Sequence, residues 1–88
     1  MLNVPLTEEQ RVTISEMIDD LAMDFLERLL DPRRKEIYIR TIVNYSAFGF
    51  TFEKLCQDAF PRTHERWNRP GQMPPVNFIL GTIDARTW

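Results

Sequence analysis

Eighty-eight residues, 43% hydrophobic and 27% charged with a net charge of −2, describe one globular domain spanning residues 1–88 and exclude a disordered chain. A single cysteine, Cys56, excludes an internal disulfide and fits a reducing compartment. No apolar run approaches the ~20 residues that cross a bilayer, and the opening MLNVPLTEEQ has neither the basic nor the apolar region of a secretory signal, so a cytoplasmic protein is expected.

Residues 1–6 form a short arm leading into the longest helical signal, residues 7–30. Thr7 followed by Gln10 matches a capping box, and Glu8 and Glu9 place negative charge in the first turn, where the helix dipole favours it. At 3.6 residues per turn, Ile14, Met17, Ile18, Leu21, Ala22, Phe25 and Leu29 share one face, with Glu9, Glu16, Asp20, Asp24 and Glu27 roughly opposite. A second apolar flank, Val12, Met23, Leu26 and Leu30, lies between them. Such a wide apolar arc implies several packing neighbours or a contact with another chain.

Asp31-Pro32 ends this helix and opens the next, because the residue before proline leaves the α region while Asp at N-cap and Pro at N1 suit a new start. The second helix is expected over 32–46, with Ile39, Ile42, Val43 and Ala47 at core spacing and Ile37, Tyr38 and Tyr45 on the flanks. Its β-branched residues make a strand the competing assignment, but strict alternation fails at Ile42-Val43. Gly49 punctuates its end, and Thr51 caps a third helix, 51–60, whose Phe52, Leu55, Cys56, Ala59 and Phe60 form a core stripe stopped by Pro61. A short helix over 63–68 follows. Three prolines and a glycine make 69–75 a Pro-rich loop. The last helix, 75–86, places Val76, Ile79, Leu80 and Ile83 on one face, weakened at Gly81 by about 1 kcal/mol relative to Ala. The fold class is thus all-α, a small single-domain bundle of four to five helices.

Enzyme chemistry is excluded by elimination. Cys56 and His64 form the one available nucleophile–base pair, and Cys56 belongs to an apolar stripe, the setting of a structural thiol. One His and one Cys fall short of a zinc ligand set, no EF-hand pattern occurs, and three scattered glycines make no phosphate loop. Asp19 and Asp20 diverge on a helix. No catalytic residue, metal or cofactor is expected.

Two binding surfaces remain. Residues 1–31 carry eight acidic and two basic side chains, whereas 32–88 carry nine basic and five acidic. This asymmetry suits docking of the first helix on the rest, or two faces for two partners. The partner-binding set is Val12, Glu16, Asp20, Met23, Leu26, Glu27 and Leu30, a helix-in-groove arrangement whose partner is a larger protein with a basic surface. Homodimerisation through the same flank is the related alternative; Met73 and Trp88 are further candidates for exposed apolar contacts. The function expected is that of an inhibitor or accessory subunit, with small proteins of mobile elements as an analogy of size and charge alone. The alternative is a DNA-binding regulator. TFEKLCQDAFPRTHERW resembles a helix-turn-helix in outline, with Phe60-Pro61-Arg62 as the turn and Arg62, His64, Arg66 and Arg69 toward nucleic acid. It departs from that pattern in having Phe60 where Gly is usual and Asn68-Arg69-Pro70 cutting the second helix short. The acidic first helix further ranks nucleic acid behind protein as a partner.

Overall fold

The computed structural model describes residues 6–46 and 52–82, and every regular element among them is helical. The protein is an all-α bundle of α1 (Glu8–Leu26), α2 (Pro32–Ser46), α3 (Phe52–Lys54) continuing through a π-helical turn (Leu55–Ala59) into α4 (Phe60–Arg66), and α5 (Val76–Gly81). Ala47, Gly49, the Thr51 cap, residues 83–86 of the expected last helix, Trp88 and the Tyr45 side chain lie outside the described residues, as do residues 1–5 of the arm.

The start of α1 follows the capping chemistry of its sequence. The Thr7 hydroxyl accepts from the Gln10 amide at 3.1 Å, and the Gln10 side chain accepts from the Thr7 amide at 2.9 Å. Its end does not follow the expected boundary at residue 30. α1 stops at Leu26, and Glu27 takes a left-handed conformation (φ 60°) while its amide still donates to the Met23 carbonyl. The reversal at Glu27 takes the chain off the helical path, so positions 29 and 30 exchange roles. Leu30, expected on the flank, is buried, and Leu29, expected in the core, is 58% exposed.

At α2 the Asp31 carboxylate accepts from the Arg34 amide at 2.8 Å, the N-cap that Asp31-Pro32 implies. Tyr38, Ile39 and Ile42 supply its buried face. Tyr38 thus belongs to the core rather than to a flank. Its hydroxyl donates to the Pro74 carbonyl at 2.6 Å, which provides the hydrogen-bond partner that a buried phenol needs.

The third and fourth expected helices are one run. Pro61 does not end a helix; it lies in the first turn of α4, directly after the π turn in which the Phe60 amide donates to the Leu55 carbonyl. A proline inside an α-helix clashes with the carbonyl four residues back and lacks a donor for it, whereas the wider π register loosens that turn. Leu55, Ala59, Phe60 and Thr63 are buried along the run. The core joins these residues to Ile14, Ile18, Leu21 and Ala22 of α1, the inner face of α2, and Ile79 and Leu80 of α5.

The Pro-rich loop is tied down at several points. The Gly71 amide donates to the Phe25 carbonyl at 2.8 Å, and the Trp67 indole donates to the Gln72 carbonyl at 3.0 Å. Pro74 is buried, and Met73 is partly buried against the core.

Candidate interaction surfaces

α1 meets its neighbours on two sides. Toward α2, the Lys35 ammonium lies 2.9 and 3.0 Å from the two oxygens of Asp19, and Arg11 approaches Glu36 at 3.7 Å. Only Asp19 Oδ2 is aligned for a hydrogen bond; the water-shielded Oδ1 is held by charge alone. Toward α4, His64 Nδ1 is 2.9 Å from Asp24 Oδ2, and its ring stacks on Phe25. The charge asymmetry of the sequence is therefore partly spent within the chain: Asp19 and Asp24 each meet a basic or titratable group from residues 32–88.

The remaining face of α1 carries Val12, Glu16, Asp20 and Met23, all exposed, with Glu27 at its end. Val12 is 49% and Met23 51% exposed. Eleven residues apart, they stand three turns and about 16 Å from one another on nearly the same line. Among the described residues no ion pair or side-chain hydrogen bond engages Glu16, Asp20 or Glu27. Leu26 is half-buried against the core, and Leu30 is in the core. Of the seven residues read as partner-binding, five are thus brought together at the surface, Leu26 borders them, and Leu30 is withdrawn by the turn at Glu27.

Two shallow clefts border α1. One, about 250 Å³, is lined by Glu8, Arg11, Val12, Ser15, Glu16, Glu36 and Ile39. The other, about 190 Å³, lies at the α1–α2 corner between Leu26, Leu29, Leu30, Arg28, Asp31 and Arg34. Both are below the roughly 300–1,000 Å³ of small-molecule sites.

The outer face of α2 was not singled out from the sequence. Ile37 is 55% exposed there, with Arg33, Arg34 and Arg40 at helical spacings of four, three and three residues. Their period is visible in the sequence, and the expectation of Ile37 on a flank passes over its place at the centre of this face.

The helix-turn-helix outline is corrected by the continuous helix through Phe60-Pro61-Arg62, which leaves no turn between two crossing helices. Three of the four side chains assigned to nucleic acid are engaged within the chain. Arg62 donates to the Thr82 carbonyl at 2.7 Å and faces Asp58 at 3.9 Å; His64 meets Asp24; Arg69 lies 5.7 Å over the Trp67 ring. Arg66 is exposed and is also in contact with the chain.

Cys56 occupies the π turn, half-buried, and burial pushes its thiol up from the ordinary cysteine range. That shift disfavours the thiolate, the form a nucleophile or metal ligand requires. His64 is committed to Asp24 and Phe25 on another face of the run.

Compared with protein-family models, with curated proteins and with solved structures, the chain matches none.

Proposed function

We propose that the protein is a non-enzymatic interaction module of the cytoplasm that docks on a basic, partly apolar surface of a larger protein through the outer face of α1, as an inhibitor or accessory subunit. The observation that carries this reading is the exposure of Val12 and Met23 on one line with Glu16, Asp20 and Glu27, whose carboxylates no described side chain neutralises. Apolar side chains supply the desolvated centre of a docking surface and charges supply its orientation and rate of encounter. The helix-in-groove mode needs this combination of features on one helical face.

The test is affinity capture from the native host, followed by mass spectrometry, with wild-type protein and two variants. Asp20→Lys and Met23→Arg change exposed positions, so their circular dichroism is expected to match wild type. Capture of one specific protein is expected to fall at least tenfold, the scale of a central contact residue. Undiminished capture by both folded variants removes α1 as the contact surface. The DNA-binding reading gains no support from Arg62, His64 and Arg69, which are engaged internally; retention of duplex DNA that is lost on Arg62→Ala with Arg66→Ala would restore it.

A further inference from the structure

Every exposed large apolar side chain among the described residues lies on α1, α2 or the segment joining them: Val12, Met23, Leu29 and Ile37. The two helices surround these side chains with opposite charge. On α1, Met23 sits between Asp20 three residues before and Glu27 four residues after, with Glu16 a further turn back. On α2, Ile37 sits among Arg33, Arg34 and Arg40, with the exposed Glu36 at the edge of the face and paired with Arg40 and Arg11. The spacings differ, but the charge that prevails around each apolar side chain is opposite in sign, acidic at Met23 and basic at Ile37.

Neither set can satisfy the other within one chain. Each lies opposite its own helix's buried face, which is Ile14, Ile18 and Leu21 on α1 and Tyr38, Ile39 and Ile42 on α2. No ion pair joins Glu16, Asp20 or Glu27 to Arg33, Arg34 or Arg40 among the described residues, and the one pair formed by these arginines is Arg40 with Glu36 at 4.0 Å.

We propose that the acidic face of α1 on one molecule docks on the basic face of α2 on a second copy, head to tail, with Met23 against Ile37. This rests on the reading of α1 as a docking surface and assigns to that surface, besides the larger protein, a second copy of the chain. An isoleucine at the centre of three guanidinium groups fits a protein face better than a phosphate backbone, which offers it nothing apolar. The contact is heterologous: each molecule that joins leaves one acidic and one basic face free, so association continues past the dimer unless the rotation closes a ring. Exposed charge pairs contribute to it and are screened by salt.

Sedimentation of the full chain between about 10 μM and about 1 mM, the range of weak self-association, tests this at low and high ionic strength. The mass is expected to rise beyond the dimer with concentration and to fall by at least half at high salt. Asp20→Lys with Met23→Arg destroys the α1 face, and Arg33→Glu with Ile37→Glu destroys the α2 face; each double variant is expected to be monomeric with wild-type circular dichroism. Mixed one to one, each still contributes one intact face, so they are expected to form a dimer and nothing larger. Should Ile37→Glu unfold the chain, Arg33→Glu with Arg40→Glu replaces it. A monomeric wild type, an α1 or α2 variant that associates fully, or a mixture that stays monomeric overturns the proposal. The reading of α1 fails separately, when folded Asp20→Lys and Met23→Arg both leave host-protein capture intact.

Discussion

The amide of Gly71 donates to the carbonyl of Phe25 at 2.8 Å across forty-six positions of sequence, fixing the Pro-rich loop to the last turns of α1. Gly71 holds φ at +85°, and a Cβ there would meet no atom within 4 Å. The requirement for glycine is therefore one of backbone conformation alone. Gly71→Ala is expected to destabilise the fold by about 1–2 kcal/mol, measured as a lower urea midpoint with an unchanged slope. Wild-type stability in this variant would show that the loop does not depend on this turn.

Glu27 presents the converse case, a side chain carried in the left-handed region at φ 60°. Glu27→Gly removes the Cβ clash and is expected to raise stability by about 0.5–1 kcal/mol. A decrease would mean that the Glu27 side chain makes a stabilising contact that outweighs its backbone strain.

Tyr38 carries the pH dependence that the structure makes explicit. Burial raises its phenol above the ordinary value of 10.0, partly opposed by nearby Arg34. A raised folded value means that the unfolded chain releases this proton first. The contribution is thus intact below about pH 10 and lost as pH rises through the folded value. Tyr38→Phe is expected to flatten the fall in stability above that pH. At neutral pH it should cost about 1–3 kcal/mol, because the Pro74 carbonyl loses its donor. Thermal melts at pH 7 and above pH 10 on both proteins check both statements.

Leu29 and Leu30 separate surface from core within two adjacent residues. Leu30→Ala is expected to cost about 2–4 kcal/mol and Leu29→Ala less than about 0.5 kcal/mol, measured by chemical denaturation. Equal costs would contradict the turn at Glu27.

This same pair shows where sequence reading reached its limit. A continuous 3.6-residue period over 7–30 puts Leu29 inside, and the chain has no glycine near residue 27 to announce a stop; a glutamate in the left-handed region leaves no compositional trace. Pro61 misled in the opposite direction. Proline is a strong breaker in an α-helix, but the preceding π turn accommodates it, and a π turn has no residue signature of its own. The elements whose chemistry is local were legible: the Thr7–Gln10 box, the Asp31-Pro32 start of α2, the buried face of α1 through Ala22, and the break at Pro70-Gly71. Among surface residues, Glu16 and Asp20 follow from helical phase, whereas Val12 and Met23 share their apolar flank with Leu26 and Leu30, and the sequence does not say which of the four the chain covers. Ile37 follows from phase as well, since it lies nearly opposite Ile39 and Ile42 on the helix, and its apolar character is what argues for a flank instead.

Cys56 gives a chemical check on the π turn. Its thiol is half-buried and held toward the protonated form, so reaction with a disulfide reagent at pH 8 is expected to be about tenfold slower in the folded chain than in urea. Equal rates would place the thiol in free solvent.

The carbonyl of Ala59, at the end of the π turn, accepts from the Thr63 hydroxyl at 2.6 Å and lies 3.3 Å from the Thr82 hydroxyl, while the Thr82 carbonyl accepts from Arg62 at 2.7 Å. Two segments distant in the chain thereby share one set of polar partners, in which Thr63 and Thr82 are buried and Arg62 is half-exposed. Separating α5 from the π turn takes the Thr82 hydroxyl from that carbonyl and releases Arg62 in the same event, so the two segments are expected to open together. In amide hydrogen exchange the protected amides of α4 and α5 would then share a single opening free energy, as one cooperative unit whose seam is closed by side chains rather than by a backbone ladder.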